Sequence, residues 1–184
     1  TMSKHWLRKW PNIIKGRKVQ HPDEVWVSDI TYIKTQQGNC YLNMITDAYS
    51  RKIVGYAVDD TMETASMIGA LKMAAQQRRY PQLATIHHSD RGLQYCSKEY
   101  SLLTTKHNIR LSMTENGDPY ENALAERMNR TIKEEFGMDK PLKNKEQVQQ
   151  LVAESIFLYN NKRPHLALQM KTPEQVYQTK IPAT

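Results

Sequence analysis

The spacing of apolar residues changes period several times along this chain, and each change marks an element. From Val25 to Ile33 the sequence reads VWVSDITYI, rich in β-branched and aromatic residues. At period two, Val25, Val27, Asp29, Thr31 and Ile33 share one face, and Trp26, Ser28, Ile30 and Tyr32 share the other. Both faces are largely apolar, which predicts a central strand covered on both sides. After the turn residues Gln36-Gln37-Gly38-Asn39, the stretches Tyr41 to Asp47 and Lys52 to Val58 predict two more strands joined by a tight turn near Ser50. The period then lengthens. Asp60 with Glu63 reads as a capping box that opens a helix to about Arg79, stopped by Pro81. Leu83 to His88 predicts a strand, Ser97 caps a helix to about His107, and Ile109 to Met113 predicts a short strand.

Asp118-Pro119-Tyr120-Glu121 reads as a second capping box with Pro at the first helical position, opening a helix to about Phe136 with Gly137 as its stop. Asn144 with Gln147 starts another helix, carrying Val148, Leu151, Val152, Ser155 and Leu158 on one face. After Pro164 the pattern is irregular, with one turn of helix near Thr172 to Gln178. The order βββ-α-β-α-β-α-α predicts an α/β domain, a mixed five-stranded sheet flanked by helices on both faces.

Composition narrows the class. With 184 residues, 39% hydrophobic and 24% charged, the chain suits one globular domain that buries roughly 70% of its unfolded surface. Cys40 and Cys96 are too few for a disulfide framework and form no CxxC zinc motif, so they read as reduced cytosolic thiols. No apolar run approaches the roughly 20 residues of a membrane span, and the basic start lacks the apolar stretch of a signal peptide.

Charge adds a partner. Lys4, Arg8, Lys9, Lys15, Arg17 and Lys18 supply six of the +7 net charges within residues 1–20, which hold no acid. This leaves a nearly neutral remainder and predicts a basic arm or linker over 1–20, suited to a polyanion. Trp6 and Trp10 interleave the arm and could stack on bases or dock on the domain.

Three carboxylates stand out. Asp29 sits in the middle of a strand that is otherwise built for burial, where an isolated charge is costly unless paired, protonated or metal-bound. Asp90, in HHSDRGLQY, follows a strand end, the place where open α/β sheets bind ligands, and Gly92 allows a sharp turn beside it. Glu126 lies on the helix over 118–136. There Leu124, Met128, Thr131, Ile132 and Phe136 form the apolar stripe, and Asn122, Glu126, Asn129, Arg130 and Lys133 lie on another face. Each has a plain structural reading, as a salt-bridge partner, an Asx turn or an i,i+4 pair with Arg130. Together they could converge on one point, where carboxylates hold Mg²⁺ and two ions clamp an in-line phosphoryl displacement.

Thirty-five residues separate Asp90 from Glu126, and the surrounding words resemble those of bacterial insertion-sequence transposases of the retroviral-integrase-like DDE class. They are VWVSDITYI at 25–33, YLNMITDAYSRKIVGY at 41–56, HHSDRGLQY at 87–95, ENALAERMNRTIKEE at 121–135, and YNNKRPHLAL with Thr172-Pro173 at 159–173. The resemblance implies an RNase H-like fold, a core over 21–162 and a C-terminal extension over 163–184. It places the metal-binding catalytic triad on Asp29, Asp90 and Glu126, with two Mg²⁺ ions for which Mn²⁺ substitutes. One ion would sit between Asp29 and Asp90 and the other between Asp29 and Glu126. Glu121 and Arg127 depart from the family's usual residues beside the triad. Glu115, Glu134 and Glu135 are rivals for the third carboxylate, ranked below Glu126.

The implied activity is nicking of DNA at an element's end followed by strand transfer. The alternatives are a nuclease or resolvase that stops at hydrolysis, and a DNA-binding assembly domain without catalysis. Implied partners are element-end and target DNA and further copies of the chain on DNA, in a bacterial cytoplasm at the nucleoid, with no membrane. Arg130, Lys133, Arg163, His165, Lys15, Arg17 and Lys18 are the candidate DNA contacts. Asp47 reads as structural or supporting, and His87 and His88 as packed residues sooner than ligands. No helix-turn-helix pattern or upstream zinc module is evident, so the resemblance also implies a longer parent protein.

Overall fold

The computed structural model describes residues 9–115 and 122–180. Lys4, Trp6, Arg8 and the capping box at 118–121 lie outside the described residues. Five strands form one sheet: β1 (Val25–Thr35), β2 (Gly38–Asp47), β3 (Ile53–Asp59), β4 (Thr85–Ser89) and β5 (Ile109–Met113). Their order is β3-β2-β1-β4-β5, so the strand with two apolar faces is the central one. β1 pairs antiparallel with β2, and β2 with β3, while β1–β4 and β4–β5 are parallel. β4 pairs only with Val25 to Val27, so beyond Val27 one edge of β1 is open.

Helices cover both faces, as the pattern predicts. On one face α1 (Thr64–Gln77) and α2 (Lys98–Lys106) pack with Trp26, Ile45, Val54 and Tyr95. On the other, α3 (Ala123–Glu135) and α4 (Lys145–Asn161) bury Met128, Ile132, Val148 and Val152 against Ile33, Leu42 and Met44. The close approach of α1 to β3 depends on Gly55, where a β-carbon would stand 2.2 Å from the Ala70 carbonyl oxygen. A backbone atom cannot swing aside, so a larger residue would displace the whole helix.

Local chemistry sets most boundaries. Ser97 accepts from the Tyr100 N–H and Asn144 from the Gln147 N–H, capping α2 and α4 as expected. Gly137, at φ 73°, ends α3 in the left-handed region. One expected cap is absent: α1 begins at Thr64 with no side-chain cap. Asp60 is taken instead by Lys145 Nζ, at 3.0 Å, with Asp59 on the same ammonium at 2.8 Å. A long-range ion pair thus outcompetes the local capping box.

The first and last described segments also pack on the core. Trp10 lies against the α1–α2 cluster, and Ile13, Ile14 and Val19 lie against Val25, Val27, Ile86 and Ala125. Residues 10–19 therefore include a docked segment within the basic stretch. At the other end α5 (Pro173–Tyr177) opens with a complete Thr172 capping box. Its Tyr177 hydroxyl donates to the Asp23 carboxylate at 2.8 Å inside the core. No helix among the described residues is long and apolar enough to cross a membrane.

Candidate active site

Register brings the first two carboxylates together. β1 and β4 run parallel with Val27 opposite His88, and two residues past this last pair Asp29 and Asp90 are close enough for the Asp90 charge to act on Asp29. Asp29 is still within β1. Asp90 is just past the end of β4, and its Oδ1 accepts from the Gly92 N–H at 3.0 Å. At Gly92 a β-carbon would lie 3.0 Å from that Oδ1 and 3.1 Å from Gln94 Oε1, so a larger residue would press on the Asp90 carboxylate. α3 crosses the same sheet face and presents Glu126, exposed, to a cleft of about 490 Å³ that Asp29 also lines.

The electrostatics record this crowding. Burial, then the Asp90 charge and more weakly the Glu126 charge, push Asp29 up to about 6, against hydrogen bonds from the Ile30 N–H and the Asn129 amide. Burial also raises Asp90, with the Gly92 N–H opposing it. Among the described residues no ion pair reaches any of the three carboxylates. Nor are three His, Cys, Asp or Glu side chains there gathered tightly enough to hold a metal ion unaided.

Arg130 and Lys133 line this cleft beside Glu126, as the helix periodicity implies, and Lys133 Nζ sits 4.9 Å from the Tyr32 ring centre. The other candidate DNA contacts are elsewhere. Arg163 pairs with Glu135 at 2.5 Å, which also takes Glu135 out of contention as a third carboxylate. His165 packs edge-on against Tyr159, and burial, with the Arg163 charge, lowers it to about 4. Lys15 pairs with Glu115 at 3.7 Å and Arg17 with Glu24 at 2.7 Å, while Lys18 is exposed. Glu134 is the rival that does line the cleft.

His87 is fully buried, with Nε2 2.9 Å from Ser28 Oγ and Nδ1 3.2 Å from the Tyr100 hydroxyl. Burial lowers it to about 3, which makes it a neutral core residue. His88 packs likewise, with Nδ1 2.8 Å from Ser112 Oγ. Asp47 is a structural cap: its carboxylate accepts from the Asp23 and Ser50 N–H groups and the Ser50 hydroxyl.

Residues 19–119 match the family model "Integrase core domain", and residues 107–173 match a second model of the same description. The chain is 34% identical to the transposase for insertion sequence element IS904 of Lactococcus lactis, over 93% of this chain and 70% of that protein. It belongs to the integrase-core family of insertion-sequence transposases. Membership makes it a transposase catalytic core and, by family, a polynucleotidyl transferase. Other relatives are a 31 kDa protein of insertion element IS600 of Shigella sonnei, 36% identical over 91% of this chain and 62% of its own length, and the Shigella sonnei IS629 transposase, 37% identical over 78% and 48%. The chain thus spans between about half and seven-tenths of these relatives.

The fold of this integrase core is that of retroviral integrase catalytic cores, which is RNase H-like. A chain of the simian T-cell lymphotropic virus intasome superposes with a TM-score of 0.75 at 18% identity, over 98% of this chain and 62% of that one. The HTLV-2 integrase catalytic core domain gives 0.67 at 19% identity, over 88% and 100%.

Helix periodicity misplaces one residue of the cleft. It puts Asn129 on the non-core face of α3, yet Asn129 is buried, and its Nδ2 donates to Asp29 Oδ2 at 2.9 Å. Periodicity sorts residues by polarity and cannot foresee that the sheet itself offers a buried acceptor. The available signal was Asp29, a lone carboxylate in an apolar strand that needed a donor from the facing helix.

Proposed function

We propose that this core nicks DNA at the ends of an insertion element and joins the freed 3′-hydroxyl to a target phosphate, with divalent metal ions held by Asp29, Asp90 and Glu126. The carrying observation is that Asp29 feels the charges of both Asp90 and Glu126 while no cation of the described chain pairs with any of them. For Asp29 and Asp90, both half-buried, such crowding is costly until a cation arrives. The donors are all oxygens, which fits Mg²⁺, with Mn²⁺ as a substitute. A solved relative by fold, the HTLV-2 integrase core, is in complex with magnesium, which supports the same choice.

Asp29 and Asp90 would hold one ion, and Asp29 and Glu126 the second. Bound there, the pair would polarise the scissile phosphate and lower the pKa of the attacking hydroxyl. The chain's own part is placement. Parallel pairing brings Asp90 near Asp29, Asn129 fixes the Asp29 carboxylate, and the Gly92 N–H fixes Asp90. Arg130 and Lys133 would grip phosphates flanking the scissile one, Arg130 as a bidentate fork and Lys133 as a point charge. No protein nucleophile is needed, because positioning and charge neutralisation carry phosphoryl transfer. The same reading places further copies of the chain on the DNA, in a bacterial cytoplasm.

The test is incubation with labelled element-end DNA and Mg²⁺ or Mn²⁺, scoring nicks and joined products. The parent should yield both. Asp29→Asn, Asp90→Asn and Glu126→Gln should each abolish both, with DNA binding and thermal unfolding preserved. Parental activity in any one variant removes that residue from the site. Nicks without joining, even from a pre-cut end, would reduce the activity to hydrolysis.

A further inference from the structure

A second cationic surface lies on the other side of α3 from Asn129 and Lys133. There a groove of about 390 Å³ opens between residues 14–19, the turn after β2 and the first turn of α3. Val25 and Val27 are among its lining residues, on the sheet face that also carries Asp29. Arg17 and Arg51 are its cations. Glu24 already neutralises Arg17, at 2.7 Å.

Arg51 has no such partner. Its side chain is half-buried and makes no hydrogen bond or ion pair among the described residues. Its backbone is held at φ 67°, with its N–H donating to the Asp47 carbonyl oxygen at 2.9 Å. Asp47 and Arg127 are the charged groups that reach Arg51, beside the Tyr159 phenol. The Asp47 carboxylate is already committed to Asp23 and Ser50, and Arg127 adds a second positive charge. Arg127 is exposed, and at 100° per residue it leans towards the Leu124 side of α3, the side of the groove. Arg51, half-buried and unpaired at the groove, with the Arg127 charge acting on it from the groove side of α3, makes a site for an anion with two or more oxygens.

We propose that Arg51 and Arg127 bind a backbone phosphate of duplex DNA, so that the duplex crosses the exposed crest of α3 from the carboxylate cleft to this groove. The proposal rests on the DNA-processing function above and adds the path of the DNA. Scale supports the path. Val27 and Val25 precede Asp29 by two and four residues, which is about 7 and 13 Å along a strand. One DNA strand carries a phosphate about every 3.4 Å of helix axis. The groove therefore lies about two to four phosphates from the scissile position.

Binding of the chain to a fluorescent duplex oligonucleotide, followed by anisotropy across a salt series, tests this. Arg127→Gln and Arg51→Gln should each weaken binding several-fold at low salt and flatten the slope of log K against log salt by about 0.9 for each phosphate no longer neutralised. Arg51→Lys should restore most of the slope and less of the affinity. Thermal unfolding separates this from a packing role. A phosphate ligand leaves Arg51→Gln as stable as the parent or more so, whereas a structural arginine makes it less stable and leaves the Arg127→Gln slope parental. If the parent binds DNA and Arg127→Gln keeps its affinity and slope, the groove is not a phosphate site. If the parent binds no DNA at all, the proposed function falls and the groove with it.

Discussion

Burial raises the pKa values of Asp29, Asp47 and Asp90 in this core, and the three differ in what else acts on them. Asp29 is crowded by Asp90 and Glu126, whereas Asp47 is enclosed by its own turn. Burial pushes Asp47 up to about 6 from an ordinary 3.8, although Ser50 and the Asp23 N–H donate to it. The sign follows from linkage. Between those values the unfolded chain has released a proton that the folded chain retains, so the stability that Asp47 contributes should fall as pH rises from about 4 to about 6, then level off. Asp29 contributes in the same direction. Asp47→Asn should flatten this fall, yet lower stability at neutral pH by about 1–3 kcal/mol, since an amide nitrogen would then meet the Ser50 donors. Chemical denaturation of parent and variant at several pH values checks both effects. A stability difference between parent and variant that does not change between pH 4 and 6 would contradict the assignment.

Among the elements, α3 carries the most chemistry. Its inner face holds Ala125, Met128 and Ile132 in the core, and Asn129 on that face reaches Asp29. Glu126, Arg130 and Lys133 follow along the cleft side, with Lys133 about 10 Å beyond Glu126 at 1.5 Å of rise per residue. The local alternative, an exposed Glu126–Arg130 pair worth a few tenths of a kcal/mol, is not formed. Arg130→Ala and Lys133→Ala should therefore weaken binding to element-end DNA at low salt, about threefold to tenfold each, without loss of metal-induced thermal stabilisation. Parental affinity in both would show that this side of α3 does not face the DNA. The start of α1 departs from its local pattern for a related reason. Capping boxes are local patterns, and Asp60 answers to Lys145, 85 residues away.

At the scale of the whole molecule, the chain ends are structural as well as charged. Tyr177 is buried and bonded to Asp23, which also accepts from Trp26 Nε1 at 3.1 Å, so the last short helix is tied to the start of β1. Near the other end, Ile13, Ile14 and Val19 pack under α3, with the Ile13 N–H donating to Ser112 Oγ at 3.1 Å. Deleting residues 1–20 would remove apolar packing together with charge and confuse the two. Lys15→Gln with Lys18→Gln is the cleaner change, since both side chains are exposed. The pair should flatten the salt dependence of DNA binding and leave the unfolding temperature unchanged. An unchanged slope would assign this segment to packing alone.

Strand and helix order, the central place of β1, the helix stop at Gly137 and the candidate carboxylates were all legible in the amino-acid sequence. Each depends on properties that are local along the chain: apolar periodicity, turn residues, caps, and an acid where an apolar residue belongs. The tertiary structure alone decided which side chains meet. It brought Asp90 near Asp29 at the end of a parallel pairing, turned Asn129 inward to the half-buried Asp29 carboxylate, and gave Asp60 to Lys145. It also sent Arg163 to Glu135 and left Arg51 with no ion pair among the described residues. Ion pairs and buried hydrogen bonds depend on distances between residues far apart in sequence, and only packing the sheet against its helices fixes those distances.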